Sequence, residues 1–201
     1  MRHAVSEQSQ SVYTIGYGAR SIEAFIDVLQ ANEIVYLVDI RSVAYSRFKP
    51  EFSKGALESE LSAHGFRYVY MGDQLGGRPG DPDCYVDGKV DYERVKTKAF
   101  YQTGIERLQR ALARGVRFAI MCSEGKPETC HRSKLIGESL AALDVPILHI
   151  DENDALVDQK TVIQRLTGGQ LSLFGDLTFT SRKRYDEPAP DDTEDWEDED
   201  G

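Results

Sequence analysis

Five short apolar runs punctuate the chain: "VYTI" at 12–15, "IVYLVDI" at 34–40, "YVYM" at 68–71, "FAIM" at 118–121 and "PILHI" at 146–150. Each is β-branched or aromatic and nearly continuous in apolar character, the pattern of a strand buried on both faces of a parallel sheet. Between them the spacing turns helical. Residues 21–31 place Ile22, Phe25, Ile26 and Leu29 on one face, with Ser21 set to cap and Glu23 in the first turn. Residues 54–64 carry Leu57 and Leu61 four apart before Gly65, residues 92–114 form a long helical pattern ending at Gly115, and residues 127–143 form another, with Pro127 suited to a first helical position. Residues 155–166 predict one last helix, and residues 72–91 a Gly/Pro/Asp-rich loop long enough to suggest function. Strand alternating with helix implies right-handed βαβ units. The expected fold is therefore α/β: an open, mostly parallel five-stranded sheet flanked by helices, in a single domain with a C-terminal extension.

Composition divides the chain further. Its 201 residues suffice for one domain with a substantial core, and 40% hydrophobic with 29% charged residues suits a soluble globular protein. The net charge of −10 is misleading, because ten Asp or Glu and no Lys or Arg lie between Asp186 and Asp200. Without them the body is near neutral, which argues against strong nonspecific nucleic-acid binding and leaves room only for a local basic patch. The expected organisation is a flexible N-terminus (1–11), an α/β domain (12–154), an extension (155–184) and an acidic disordered tail (185–201) that aids solubility. No run approaches a membrane span and the N-terminal residues lack a signal-peptide core, so a cytoplasmic protein with reduced cysteines and no membrane partner is expected.

Ligands of open parallel sheets bind beyond the carboxyl ends of the strands, so the residues following each strand are the candidates. These include Gly16, Tyr17 and Gly18 after the first strand. Asp39 at the end of the second leads into Arg41, Ser42, Ser46, Arg47 and Lys49, and Asp73, Gln74, Gly76, Gly77 and Arg78 follow the third. The fourth leads into "CSEGKPETCHR" (122–132), and the fifth into Asp151 and Glu152. Cys122 leaves its strand into a loop that enters a helix near Pro127, a setting that favours an anion or a thiolate. Arg132 shares the inward face of Ile136, Leu140 and Leu143, which aims its guanidinium toward the sheet edge, so Cys122, Arg132 and Arg41 are expected around one pocket for a small anionic ligand. In an alternative reading, Cys122 is a small buried hydrophobe and Arg132 pairs with Asp39. His64 and His149, at a helix end and in a strand, read as structural.

Other chemistries fit this stretch less well. Cys122, Cys130 and His131 lack the paired spacing of a zinc site and a clear fourth ligand, so no metal and no cofactor is expected. Two cysteines eight apart also admit a disulfide. A phosphatase or rhodanese loop would set its Arg closer to the Cys than the nine residues that separate Cys122 from Arg132, and no Walker or dinucleotide pattern is present.

Taken in order, "TIGYG", "VDIRS", "SRFKPEF", "LGGRP" and "CSEGKPETCHRSKL" resemble the bacterial family called domain of unknown function 488, from about residue 12 to residue 150. The Cys-x-Glu…Cys-His-Arg signature is the most specific part. The resemblance implies a compact α/β domain with Tyr17, Asp39, Arg41, Arg47, Cys122, Glu124, Cys130, His131 and Arg132 grouped at one site. An enzyme would use Cys122 as nucleophile or redox thiol, with Glu124 or His131 for proton transfer and the arginines for substrate charge. A noncatalytic module would use the same site to recognise a nucleotide or nucleic-acid end.

Outside that resemblance, "GGQLSLFGD" (168–176) sets three large apolar side chains in a polar neighbourhood. Gln170, Leu171, Ser172, Leu173 and Phe174 resemble the pentapeptide by which bacterial polymerases and repair proteins dock on the replicative sliding clamp. That resemblance implies the clamp as a partner, with Leu171, Leu173 and Phe174 buried in its pocket and Gln170 fixing register. The alternative is that this stretch covers a sheet edge of its own domain.

Overall fold

The computed structural model describes residues 11–169 and 178–185. The peptide at 170–174, most of the N-terminal stretch and the acidic tail from 186 onward lie outside the described residues.

All five expected strands form: β1 (Val12–Gly16), β2 (Tyr36–Asp39), β3 (Arg67–Tyr70), and then, after a two-stranded hairpin of β4 (Tyr85–Val86) and β5 (Lys89–Val90), β6 (Phe118–Cys122) and β7 (Ile147–Ile150). A sixth strand, β8 (Leu156–Asp158), completes the main sheet in the order β3-β2-β6-β1-β7-β8. The pairings β3–β2–β6–β1–β7 are parallel, and β8 runs antiparallel to β7 at the edge. β8 falls where the sequence predicts only helix. Three residues carry no period, and Asp158 both ends the strand and caps the helix after it, accepting from the Thr161 N–H at 2.8 Å.

The helices sit on both faces. The first, α1 (Ile22–Ala31), starts at Ser21, whose hydroxyl accepts from the Ala24 N–H, and buries Phe25, Ile26 and Leu29 with Leu57 and Leu61 of α2 (Lys54–Ala63) against Tyr13, Ile15, Leu37 and Met121. On the opposite face lie α3 (Gly72–Leu75), α4 (Tyr92–Lys96) and α5 (Ala99–Ala113), which close over Val38, Phe118 and Ile120. The long helix expected from 92 to 114 is broken at Thr97–Lys98. The Thr97 hydroxyl donates back to the Arg94 carbonyl at 2.7 Å, and Lys98 turns extended to reach Asp81 at 2.7 Å.

The helix expected from 127 to 143 departs further from the ideal. It is a 3₁₀ turn (Pro127–Thr129), then a π-helical segment (Arg132–Gly137), then α6 (Glu138–Ala141). Gln159, at the start of α7 (Gln159–Thr167), inserts its side chain here, donating to the Ser133 carbonyl at 3.1 Å and to Glu138 at 2.6 Å. A side chain competing for a helical carbonyl is one cause of a widened turn. The same Gln159 carbonyl oxygen meets His149 Nε2 at 2.7 Å, and Thr14 meets its Nδ1 at 2.7 Å, so one buried polar chain ties β1, β7 and α7 to the π-helical segment. No described helix is long and apolar enough to cross a membrane.

His149 is thus structural, as its place in a strand suggests, and burial holds its pKa down to about 4, against a partial counter-effect from Gln159. A depressed folded-state pKa contributes stability that is present above the unfolded value of about 6.5 and lost as pH falls toward 4. We expect roughly 3 kcal/mol to disappear across that window. Thermal melts of wild type and His149→Asn at pH 7, 5.5 and 4.5 check it. The variant starts less stable, and the gap between the two closes as the pH drops.

Candidate active site

The carboxyl ends of the three central strands converge on one cavity of about 260 Å³. Tyr17 enters after β1, Arg41, Ser42 and Tyr45 after β2, and Cys122, Ser123 and Glu124 from the end of β6. Cys130 and His131 reach it from the turn before the π-helical segment.

Asp39 and Arg41 form the first fixed unit. Asp39 is fully buried and accepts from the Arg41 backbone N–H at 3.0 Å, from its Nε at 2.9 Å and from its NH2 at 2.5 Å. The Tyr68 hydroxyl donates to the same carboxylate at 2.7 Å. Burial opposes the Arg41 charge, but the Asp39 hydrogen bonds and charge outweigh it, and the group is held as a cation. Its remaining nitrogen, NH1, is buried with no protein partner, and the guanidinium carbon lies 5.5 Å from the centre of the Tyr17 ring, which stacks on Phe52. Asp39 orients, therefore, and Arg41 faces the cavity.

The second unit is a thiol pair bridged by an imidazole. The Nδ1 of His131 lies 3.7 Å from Cys122 Sγ and 3.7 Å from Cys130 Sγ, and the three atoms are all within 4.8 Å of one another. The Cys130 thiol hydrogen bond holds the Cys122 pKa well below the ordinary thiol value. Burial works against this, and the His131 charge and the Glu124 backbone N–H work with it. Burial first, and then the Cys122 thiolate beside it, push Cys130 the other way. The two thiols are thus pushed in opposite directions, with Cys130 as donor to Cys122. Gly77 packs on the His131 ring so closely that a Cβ there would lie 2.7 Å from it, so this contact requires glycine. The two cysteines and the histidine are also near enough to share a metal ion, a juxtaposition their sequence spacing does not suggest.

Three expected site residues are placed differently. Arg132 is fully buried and absent from the cavity lining. Its guanidinium donates to the carbonyls of Glu124 and Gly125 (2.8 Å to the latter), so it pins the loop from beneath instead of facing ligand, and Arg41 rather than Arg132 holds Asp39. A Cβ on Gly16 would collide with that Glu124 carbonyl, which is why the strand ends in glycine. Arg47 is exposed and does not line the cavity. The carboxylate of Glu124 is at the cavity but engaged by Arg182 at 2.8 Å.

Arg182 belongs to a wall that strand-end reasoning misses. Residues 178–185 return across the site: Ser181 N–H donates to the Val90 carbonyl at 2.9 Å, Lys134 to the Thr180 carbonyl at 3.3 Å, and Tyr185 N–H to the Gly88 carbonyl at 2.7 Å. They bring Ser181, Arg182, Lys183 and Tyr185 to the lining. The only trace in the sequence is the basic run "SRKRY" just before the acidic tail.

With this geometry the family signature is assembled in space, and residues 21–138 match the family described as Domain of unknown function DUF488. The chain belongs to the DUF488 family. No curated protein and no solved structure matches the chain. The DUF488 match takes in Asp39, Arg41, Cys122, Glu124, Cys130 and His131. Tyr17 and the 178–185 wall fall outside it.

Four of the residues lining the cavity are cationic (Arg41, Arg78, Arg182, Lys183) against the single carboxylate of Glu124. Sulfate or phosphate should therefore raise the melting temperature by binding the native state. In Arg182→Gln/Lys183→Gln the shift should fall by at least half from that variant's own baseline. Arg132→Ala, which strips donors from two loop carbonyls, should instead lower the baseline itself by about 3 kcal/mol. Scanning calorimetry with and without oxyanion separates these outcomes.

Proposed function

We propose that this DUF488 chain is a cysteine-dependent enzyme acting on an anionic, phosphate- or sulfur-containing or nucleotide substrate. The observation that carries the reading is the convergence of donors on Cys122 Sγ at the edge of a cationic cavity. Cys122 is the nucleophile. His131 carries the proton, because its Nδ1 faces both sulfurs while the carboxylate of Glu124 is occupied by Arg182. Arg41, positioned by Asp39, and the cations of the 178–185 wall hold the substrate's charge. Tyr17 forms part of the floor.

A second reading, a noncatalytic module for a nucleotide or nucleic-acid end, draws on a different observation. Tyr45 lines the cavity and is 65% exposed, and three residues on along the same loop Phe48 is 91% exposed, with exposed Arg47 between them in sequence. Aromatic faces beside a cation suit stacked bases and phosphate. Iodoacetamide modification of Cys122 against pH, read by peptide mass spectrometry, separates the two. A thiolate gives a rate that has levelled off by about pH 7, whereas an ordinary thiol is still rising at about 8.5 and leaves only the binding reading. Metal analysis of the same preparation should find less than a tenth of an equivalent of zinc. About one equivalent would assign the two thiols and His131 to a metal instead.

The peptide Gln170-Leu171-Ser172-Leu173-Phe174 supports recruitment of this enzyme to replication or repair sites through the sliding clamp. Burial of each large apolar side chain is worth about 1.5–3 kcal/mol, offset by ordering of the segment, so micromolar affinity is expected. A 168–176 peptide and the full chain, titrated against the clamp, should both bind. Leu173→Ala/Phe174→Ala should abolish binding with the melting temperature almost unchanged. An unfolded variant, or no wild-type binding at tens of micromolar, returns the segment to its own domain.

A further inference from the structure

The nucleophile reading uses one sulfur of a pair. Cys122 and Cys130 are both among the residues lining the cavity, and their sulfurs share one imidazole nitrogen, 3.7 Å from each. We propose that Cys130 is the resolving thiol of Cys122: a hydroperoxide that enters the cavity is reduced there, and the two sulfurs close into a reversible disulfide. This rests on Cys122 being the thiolate of the site.

The geometry leaves little to travel. The sulfurs lie within 4.8 Å, and a disulfide brings them to about 2.05 Å, a closure that side-chain rotation and the turn between the two cysteines can absorb. The chemistry balances on groups already in place. The Cys122 thiolate attacks the terminal peroxide oxygen, the O–O bond breaks, and the departing alkoxide or hydroxide takes a proton from the His131 imidazolium. Cys122 is now a sulfenic acid, oxidised by two electrons, and the peroxide has become an alcohol or water. Cys130 then passes its proton to His131 and attacks the Cys122 sulfur. The S–O bond breaks, and the hydroxide leaves as water with that proton. The Arg132 backbone N–H, 3.5 Å from Cys130 Sγ, favours the negative sulfur as it forms. A dithiol reductant reverses the closure by exchange. While closed, the disulfide removes the nucleophile from the pocket.

The third cysteine supplies an internal control. Cys84 sits in a separate turn (Pro82–Cys84), fully buried and absent from the cavity lining, with its thiol pushed up to about 11 by burial and the nearby Asp81 charge.

The test treats the full chain with near-equimolar hydrogen peroxide, alkylates remaining thiols, and maps peptides by mass spectrometry. The expected product links Cys122 to Cys130, leaves Cys84 reduced, blocks iodoacetamide at Cys122 and is reversed by dithiothreitol. Cys130→Ser should stop at a Cys122 sulfenic acid captured by dimedone, provided circular dichroism shows it folded. The wild-type map decides the question without it. A wild-type Cys122 that persists as sulfenic acid, or that alkylates as a thiolate yet resists peroxide, overturns the resolving role and leaves the nucleophile standing. A Cys122 inert to both reagents overturns the nucleophile reading, and this one with it. A link through Cys84 overturns the pairing.

Discussion

Arg132 carries its charge into the interior with no carboxylate within salt-bridge distance among the described residues. A buried cation is costly unless its donors are taken up and its charge is answered. Two of its nitrogens are satisfied by the carbonyls of Glu124 and Gly125, and Nε is left without a partner. Those carbonyl dipoles are what meets the charge; beyond them, Arg132's backbone N–H lies 3.5 Å from Cys130 Sγ, and its charge acts on that thiol in the direction of ionisation. The loop that turns Cys122 toward Cys130 and His131 is therefore held from beneath by a group that does not line the cavity.

The rest of the site follows from keeping that anchor in place. Gly16 must lack a side chain because the pinned Glu124 carbonyl occupies the space. The helix carrying Arg132 widens into a π-helical segment where Gln159 donates to the Ser133 carbonyl, and through Gln159 and His149 that segment is tied to β1 and β7. On the other side of the cavity Asp39 fixes Arg41 by the more usual means, a buried bidentate ion pair. One arginine thus supports the scaffold and the other faces the cavity. Which does which depends on where the nearest carboxylate lies, and at Asp39 it lies next to Arg41.

Between these two fixed units, Cys122 and Cys130 are pushed in opposite directions by nearly the same surroundings. Both are buried, and both touch His131. The difference is the direction of one shared hydrogen bond: donating it pushes the Cys130 pKa up, and receiving it, together with the Glu124 N–H, pulls the Cys122 pKa down. The 178–185 wall adds charge rather than shape, since Arg182 binds Glu124 and Lys183 stands at the lining.

The sequence by itself determined the five parallel strands and the edge at which the cavity lies. Runs such as "FAIM" and "YLVD" are apolar on both faces, and only a parallel sheet between two helical layers buries them so. Once the strands are known, the candidate residues are those beyond their carboxyl ends, and Cys122, Arg41 and Tyr17 do meet there at one cavity. What local pattern could not reach was decided by contacts between distant segments. Thr97 and Lys98 break a helix whose periodicity runs on, because Lys98 finds Asp81. Arg132 lies on the inward face, as its spacing indicates, yet its guanidinium goes to loop carbonyls that no period encodes. The pairing of Cys130 with Cys122, eight residues apart across a turn, and the return of Arg182 to Glu124 across 58 residues are likewise tertiary facts. Periodicity fixes which way a residue faces. Which charge or sulfur it meets there depends on three-dimensional closure, where a hydrogen bond or ion pair has a partner only after the sheet has brought the segments together.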